Sequence, residues 1–113
     1  MSADAKKATD EAQIRALIED WANALCTKDA RRMVYHYAAN NVMFLMAPPL
    51  QYTAENSPGR QGVEEWFATW NGRIGYEVHG LKIAVGGDVA FSHSLDHMNG
   101  VETDGEKVDM WLR

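Results

Sequence analysis

The sequence is poor in cysteine, since Cys26 is the single one among its 113 residues. A lone cysteine excludes an intrachain disulfide, and this usage is typical of proteins from a reducing compartment. No apolar stretch approaches the ~20 residues that are needed to cross a bilayer. The first residues also lack the apolar segment of a signal peptide. We therefore expect a cytoplasmic protein that has no membrane partner.

The sequence has no run of basic residues either, because 11 Lys and Arg stand against 16 Asp and Glu and give a net charge of −5. Binding to nucleic acid depends on basic side chains that neutralise phosphates, so no nucleic-acid partner is expected. Glycine-rich phosphate loops, Gly-x-Ser-x-Gly elbows and CxxC pairs are missing as well. We expect no organic cofactor.

One domain covers residues 1–113, because a chain of this length has room for one hydrophobic core. Residues 1–9 are expected to form a flexible N-terminus. A helix is predicted over residues 10–27, with Asp10 as the cap of its first turn. The same stretch has one apolar stripe at helical spacing, made of Ile14, Leu17, Ile18, Trp21, Ala22 and Leu25.

The next part of the chain alternates between helix and loop signals. Asp29 is positioned to cap a second helix. The continuous apolar run at residues 42–46 predicts a strand that is buried on both sides. Residues 51–61 are polar and are typical of a loop. A third helix is predicted over residues 63–70, ended by Asn71-Gly72.

The rest of the chain predicts strands. Residues 76–85 alternate between apolar and polar side chains, and Gly86-Gly87-Asp88 is a hairpin signal. A second strand is predicted over residues 89–98, followed by a turn through Asn99-Gly100 and Asp104-Gly105, and then by a last strand. Helices ahead of a meandering antiparallel sheet indicate an α+β domain.

The sequence ends within the pattern of this last strand, residues 107–113. A strand edge without a neighbour leaves backbone donors and acceptors unpaired, so we expect another strand or chain to complete it. In addition, neither residues 89–98 nor residues 107–113 have a plainly solvated face. A sheet covered on both sides, in a chain with too few helices for both, predicts a homodimer through the sheet.

Asp109 is the first candidate for chemistry, because it lies in a bulky strand next to Met110 and Trp111. Burial would raise the pKa of its carboxyl group and make it a proton donor. The alternative is an ion pair of Asp109 with Arg113 or a lysine at the rim of the sheet.

Three histidines on predicted strands, His79, His93 and His97, are candidates for proton transfer near neutral pH, and His93 is expected, like Asp109, to give a polar contact in the pocket. The alternative is that they are core or interface histidines. No metal site is expected from His93 and His97, because an i, i+4 spacing on a strand separates two ligands by ~13 Å.

Large aromatic and thioether side chains are frequent. They are expected to form the core and, for some of them, to line an apolar pocket. The candidates for ligand contacts are Trp21, Tyr37, Phe44, Met46, Trp66, Trp70, His79 and Trp111.

Several segments match a known pattern as a set. They are Trp21-Ala22-Asn23-Ala24, Tyr37-Ala38, Val42-Met43-Phe44, Pro48-Pro49-Leu50, Trp66-Phe67, Val89-Ala90-Phe91-Ser92-His93-Ser94-Leu95 and Val108-Asp109-Met110-Trp111. Together they resemble the SnoaL-like, ketosteroid-isomerase-like branch of the nuclear transport factor 2-like superfamily, over residues 14–113.

This resemblance implies a cone-shaped, curved antiparallel sheet around three helices, with an apolar pocket between them and a dimer through the outer sheet face. It implies that Asp109 is the sheet acid that binds an oxyanion. It also places Trp21 at the position of a helix tyrosine and Leu45 at the position of the catalytic base. The chains of this family continue past Arg113, so C-terminal strands are expected to be missing here.

Leucine cannot accept a proton, so true ketosteroid isomerase activity is not expected. The first hypothesis is a protein that binds a small apolar or aromatic molecule. If it has turnover, this would be cofactor-independent isomerase, lyase or hydrolase chemistry by general acid–base catalysis, with Asp109 and His93 as the candidate catalytic residues. The alternative is a non-catalytic ligand-binding or self-association module, which the leucine at position 45 favours.

Overall fold

The structure, a computed structural model, describes residues 2–113. Within these residues it contains three helices and five strands, which confirms the α+β class. The elements are α1 (Ala3–Cys26), α2 (Ala30–Val34), β1 (Met43–Phe44), β2 (Gln51–Tyr52), α3 (Gly59–Phe67), β3 (Trp70–Val85), β4 (Ala90–Glu102) and β5 (Lys107–Leu112). Strands β3, β4 and β5 form one antiparallel sheet in this order, and β1 pairs with β2 in a separate hairpin.

Helix α1 is longer than predicted, since it begins at Ala3 rather than at Asp10. Its N-cap is Ser2, whose Oγ accepts a hydrogen bond from the amide of Ala5 at 3.1 Å. The predicted Asp10 cap is therefore wrong, and residues 3–9, expected to be a flexible N-terminus, are helical. The alanines and lysines of this stretch have high helix propensity, which a search for an apolar stripe does not register.

Helix α2 begins where Asp29 predicts, because the Asp29 carboxylate accepts a hydrogen bond from the amide of Arg32 at 3.1 Å. Asp20 of α1 accepts hydrogen bonds from Arg32 Nε at 2.8 Å and Nη2 at 2.6 Å. His36 Nε2 lies 3.2 Å from the same carboxylate. These hydrogen bonds lower the pKa of Asp20 and hold α2 against the second half of α1.

The apolar run at residues 42–46 does not form the predicted buried strand. Only Met43 and Phe44 are extended, and they pair with Tyr52 and Gln51. Phe44 and Met46 are 79% and 86% exposed. The prediction of burial on both sides is wrong, because this short hairpin is covered on one side only.

Helix α3 ends at Phe67, so Trp70 is the first residue of β3 rather than the last of a helix. Asn71-Gly72, predicted to end the helix, and Asn99-Gly100, predicted to form a turn, both lie inside strands. The buried indole of Trp70 explains the glycine at position 100. A Cβ atom there would lie 2.9 Å from Trp70 Cζ3, so this glycine permits close packing rather than a turn.

Two turns of the sheet are predicted correctly. The amide of Gly86 donates to the carbonyl of Val89 at 2.7 Å and closes the hairpin between β3 and β4. Gly105, with φ +88°, donates to the carbonyl of Glu102 at 2.9 Å in the turn between β4 and β5. The resulting register pairs His97 with Trp111 across β4 and β5.

The hydrophobic core lies between the helices and one face of the sheet, which we call the inner face. Ile74 of β3 is fully buried, and Met98 of β4 belongs to the same cluster. Because side chains alternate along a strand, β5 contributes its even-numbered residues Val108, Met110 and Leu112 to this inner face. Cys26, the single cysteine, is buried.

The opposite, outer face of the sheet is uncovered within residues 2–113. Phe91, Leu95 and Trp111 are 69%, 60% and 60% exposed there. The sequence pattern of the last two strands predicted that neither face of the sheet is exposed to solvent. In the isolated chain the outer face is exposed, and the core packs against the inner face.

Candidate functional site

A cavity of about 720 Å³ opens between the helices and the β1–β2 hairpin. Its volume falls within the range of ~300–1,000 Å³ that is usual for small-molecule sites. Its larger side chains come from every element around it: Trp21, Met33, Val34, Tyr37, Met43, Leu45, Tyr52, Arg60, Val63 and Trp66. The walls are thus mainly apolar and aromatic.

Trp21 and Tyr37 form the polar contact on the helical side of the cavity. The indole Nε1 of Trp21 donates a hydrogen bond to the Tyr37 hydroxyl at 2.7 Å. Burial raises the pKa of Tyr37, so its hydroxyl stays protonated near neutral pH and can donate a hydrogen bond to a ligand.

The cavity lining contains very few charged side chains. Among the described residues that line the cavity, none has a carboxylate or an imidazole, and Arg60 is the one with a permanent charge. General-base catalysis near neutral pH needs an acceptor of that kind within hydrogen-bond reach of the substrate.

A hydrogen-bonded cluster on the inner face of the sheet lies behind Trp21. The Tyr76 hydroxyl donates to Asp96 Oδ2 at 2.5 Å, and the Ser94 hydroxyl donates to Asp96 Oδ1 at 2.7 Å. The Tyr76 ring contacts Trp21 edge to face, with the ring centroids 5.3 Å apart. Burial, and then the hydrogen bond to Asp96, raise the pKa of Tyr76.

Sequence reasoning did not single out this cluster. A signal was present, because Ser94 and Asp96 lie on the same face of β4 as Met98, two residues apart along the strand. Met98 is the buried side chain of that face. A carboxylate on the core side of a strand needs donors, and Tyr76 on the neighbouring strand supplies one.

Three predicted ligand-contact residues, Trp21, Tyr37 and Trp66, do line the cavity. Leu45, expected at the position of a catalytic base, also lines it. Residues that the resemblance quoted thus line the cavity on its helical side, and none of them is an acid.

Asp109 does not lie in the cavity, contrary to the expectation of an inward carboxyl group. Its side chain is 73% exposed on the outer face, and its Oδ1 is 2.6 Å from His97 Nε2. The reason is the period of the strand: Met110 lies on the inner face, so its neighbours Asp109 and Trp111 must lie on the outer face. The expected oxyanion-binding position of Asp109 is thus not observed.

The outer face instead has a cluster of charged and aromatic side chains around Trp111. His97 stacks on Trp111 at 4.8 Å between ring centroids, and its Nδ1 lies 3.3 Å from Glu77. The hydrogen bonds to Asp109 and Glu77 raise the pKa of His97. His79 also lies against Trp111, with the ring centroids 5.2 Å apart.

The other predicted contacts are dispersed. His93 is exposed on β4, and Phe44 and Met46 project from the β1–β2 hairpin without lining the cavity. Trp70 is 5% exposed in the core, where its Nε1 has no hydrogen-bond partner among residues 2–113. These residues are therefore not brought together at one site.

In the β4–β5 turn, carboxylate oxygens of Glu102, Asp104 and Glu106 lie within 4.8 Å of one another. They are the one group among residues 2–113 with a spacing that could hold a metal ion. Such acidic turns are common on protein surfaces, and this one does not belong to the cavity. Across the same residues, no helix is both long and apolar enough to cross a membrane.

The solved structures that are similar to this chain include two with TM-scores near 0.7. One is an NTF2-like protein of unknown function from Pseudomonas putida, with a TM-score of 0.70 and 22% identity over 92% of this chain and 86% of the other. The second is the association domain of C. elegans CaMKII, with a TM-score of 0.68 and 11% identity over 94% of this chain and 81% of the other. They establish the NTF2-like fold.

No functionally curated protein matches the chain significantly. The family model of the SnoaL-like domain, however, matches residues 14–113, which include both the helices around the cavity and the whole sheet. This match confirms the resemblance found in the sequence: the chain belongs to the family of SnoaL-like domains.

Proposed function

We propose that the protein binds a small apolar or aromatic molecule in the cavity between the helices and the β1–β2 hairpin. The observation that supports this proposal is the cavity itself, with about 720 Å³ of space and walls of aromatic and aliphatic side chains. Trp21, Tyr37 and Trp66 are the proposed contact residues. The Tyr37 hydroxyl would give orientation to a polar group of the ligand.

Binding without turnover is favoured over acid–base catalysis. Leu45 cannot accept a proton, and neither Asp109 nor His93 is among the described residues that line the cavity. The Tyr37 hydroxyl, with its raised pKa, is a hydrogen-bond donor rather than a base.

Ala38 offers a direct test, because it lines the cavity and its replacement by tryptophan would fill part of it. The probe is N-phenylnaphthylamine, an uncharged aromatic dye whose fluorescence rises in an apolar site. We expect Ala38→Trp to weaken binding by about tenfold or more, which corresponds to ~1.4 kcal/mol. Ala12→Trp is the matched control, since Ala12 is an exposed residue of α1 that does not line the cavity.

Two results would contradict the proposal. One is the absence of dye binding to the parent protein. The other is equal binding to the parent protein and to Ala38→Trp, which would locate the dye elsewhere.

A second candidate function, self-association, is favoured by the outer face of the sheet. Phe91, Leu95 and Trp111 expose large apolar side chains on this face, and exposed apolar patches of this kind mark interaction sites. The matched C. elegans structure is an association domain. We propose a second copy of the chain as the partner, which agrees with the dimer expected from the strand pattern.

Sedimentation velocity tests this second candidate. The parent protein should sediment as a dimer at micromolar concentration, and Leu95→Glu as a monomer, because a carboxylate would be buried at the interface. Met46→Glu is the control, since Met46 is exposed on the hairpin. A monomeric parent protein, or a dimer that tolerates Leu95→Glu, would refute an interface on this face.

A further inference from the structure

We propose that the cavity selects ligands that combine an apolar body with an anionic group such as a carboxylate, and that Arg60 binds this group. The inference rests on the proposed binding function and names its ligand class. It starts from the composition of the lining, in which Arg60 is the one permanently charged side chain among the described residues. In a protein of net charge −5, this guanidinium is thus the one fixed positive charge among the described lining residues, and it is paired with Glu64 outside the lining.

The geometry of Arg60 leaves part of its guanidinium group available. Its Nε donates to Glu64 Oε1 at 2.8 Å, one turn further along α3. The two terminal amino groups of Arg60 have no hydrogen-bond partner within residues 2–113. The end-on pair of these amino groups matches a carboxylate or sulfonate, which they can bind through two parallel hydrogen bonds.

Glu64 sets the strength of this site. It does not line the cavity, and its carboxylate reduces the positive potential at Arg60. The pair is exposed, with side-chain exposures of 56% and 50%, so it contributes little to the stability of α3. Removing the charge of Glu64 should therefore favour an anionic ligand, whereas a purely structural pair predicts no gain.

Two dyes with the same ring systems separate the charge from the apolar body. Anilinonaphthalene sulfonate has an anionic group, and N-phenylnaphthylamine lacks it. The variant Arg60→Gln should weaken binding of the sulfonate dye by about 5- to 10-fold and leave binding of the neutral dye within about twofold. The variant Glu64→Gln should strengthen binding of the sulfonate dye by about twofold or more.

Arg31→Gln is the matched control, because Arg31 is an exposed arginine of α2 that does not line the cavity. It changes the net charge by the same amount as Arg60→Gln and should not change the ratio of the two affinities. The preference for the sulfonate dye in the parent protein should also fall as salt is raised, since mobile ions screen the charge of Arg60. The variant Ala38→Trp, measured with both dyes, shows that they occupy the cavity.

Several outcomes overturn the inference. Arg60→Gln and Arg31→Gln could weaken the sulfonate dye equally, which would indicate net charge alone. Both dyes could lose affinity together in Arg60→Gln, which would indicate a structural effect on α3. Glu64→Gln could leave the sulfonate affinity unchanged or lower it. If the neutral dye binds and the ratio does not respond to Arg60, only the anion selectivity fails; if neither dye binds, the proposed function fails too.

Discussion

Replacing Tyr76 by phenylalanine removes one hydroxyl group from the inner face of the sheet and retains the ring. The hydroxyl donates to Asp96 at 2.5 Å, and the ring contacts Trp21 edge to face. The variant therefore isolates the hydrogen bond from the aromatic packing. Asp96 keeps the hydroxyl of Ser94 at 2.7 Å as its remaining side-chain donor.

A hydrogen bond to a charged group contributes about 1.5–3 kcal/mol to the free energy of unfolding. Tyr76 and Asp96 are only partly buried, so water can replace part of the lost contact. We expect Tyr76→Phe to cost about 1–2 kcal/mol. In a domain of this size, that loss lowers the melting temperature by roughly 4 °C per kcal/mol.

The measurement is urea unfolding followed by tryptophan fluorescence, with Tyr76→Phe, Asp96→Asn and the double variant. The amide oxygen of asparagine still accepts a hydrogen bond from Tyr76, so Asp96→Asn should cost about 1 kcal/mol. The double variant should be more stable than the sum of the two losses predicts, by about 1 kcal/mol.

Absorbance of tyrosinate provides an independent readout. Because burial and the hydrogen bond to Asp96 raise the pKa of Tyr76, its hydroxyl stays protonated where an ordinary tyrosine ionises, near pH ~10. Tyr76→Phe should therefore leave the absorbance change of the folded protein near that pH unaltered. A cost below ~0.5 kcal/mol, or strict additivity with Asp96→Asn, would refute the reasoning.

Three further predictions concern stability. Ile74→Ala should lower the free energy of unfolding by about 2–5 kcal/mol in urea, because the side chain is fully buried; a loss near zero would contradict the assigned core. Asp29→Ala should lower the free energy of unfolding by about 1 kcal/mol, because α2 loses its N-cap. Asp29→Asn should keep most of the stability that the cap provides, since asparagine also caps helices. Asp109 and Glu77 raise the pKa of His97 in the folded state, so the stabilisation from His97 is present below ~pH 6.5 and is lost as pH rises through its folded-state pKa. Asp109→Asn should lower the His97 pKa measured by proton NMR, and an unchanged pKa would exclude the contact.

Local signals in the sequence predicted the elements that depend on local interactions. The cap at Asp29, the hairpin at Gly86 and the turn at Gly105 each involve a hydrogen bond between residues three positions apart. Such contacts are encoded by neighbouring residue types, so one sequence suffices to predict them. The antiparallel sheet followed from the same turns.

The same reasoning failed where a residue served a distant partner. Gly100 resembles a turn residue, yet it lies in β4 because the indole of Trp70 packs against it from β3. Phe44 and Met46 resemble a buried strand, yet the elements around them cover only the other side of their hairpin. Neither outcome depends on the residues next to them in the sequence.

The candidate site shows the same division. Helical spacing and the family resemblance identified Trp21, Tyr37 and Trp66, which do line the cavity. They did not distinguish the two acids of the sheet: Asp96 lies on the inner face and Asp109 on the outer face. On β5 the alternation was a usable signal, because Val108, Met110 and Leu112 form an apolar face and leave Asp109 on the other. On β4 both faces mix apolar and polar residues, so alternation alone could not indicate that Asp96 faces the helices.

The sequence by itself determined the α+β class, the order of the three helices and of the three strands of the larger sheet, and membership in the SnoaL-like family, because these depend on periodicity, turn residues and segment matches. It did not predict β2 at Gln51–Tyr52 or the start of α3 at Gly59, which lie in the segment predicted to be a loop. The tertiary structure alone decided which face of β4 is buried, that Asp96 turns toward the core, and that Arg60 is the permanent charge of the cavity lining. The physical reason is that a strand repeats every two residues. A strand therefore presents two possible faces, and only its packing against the helices selects one of them.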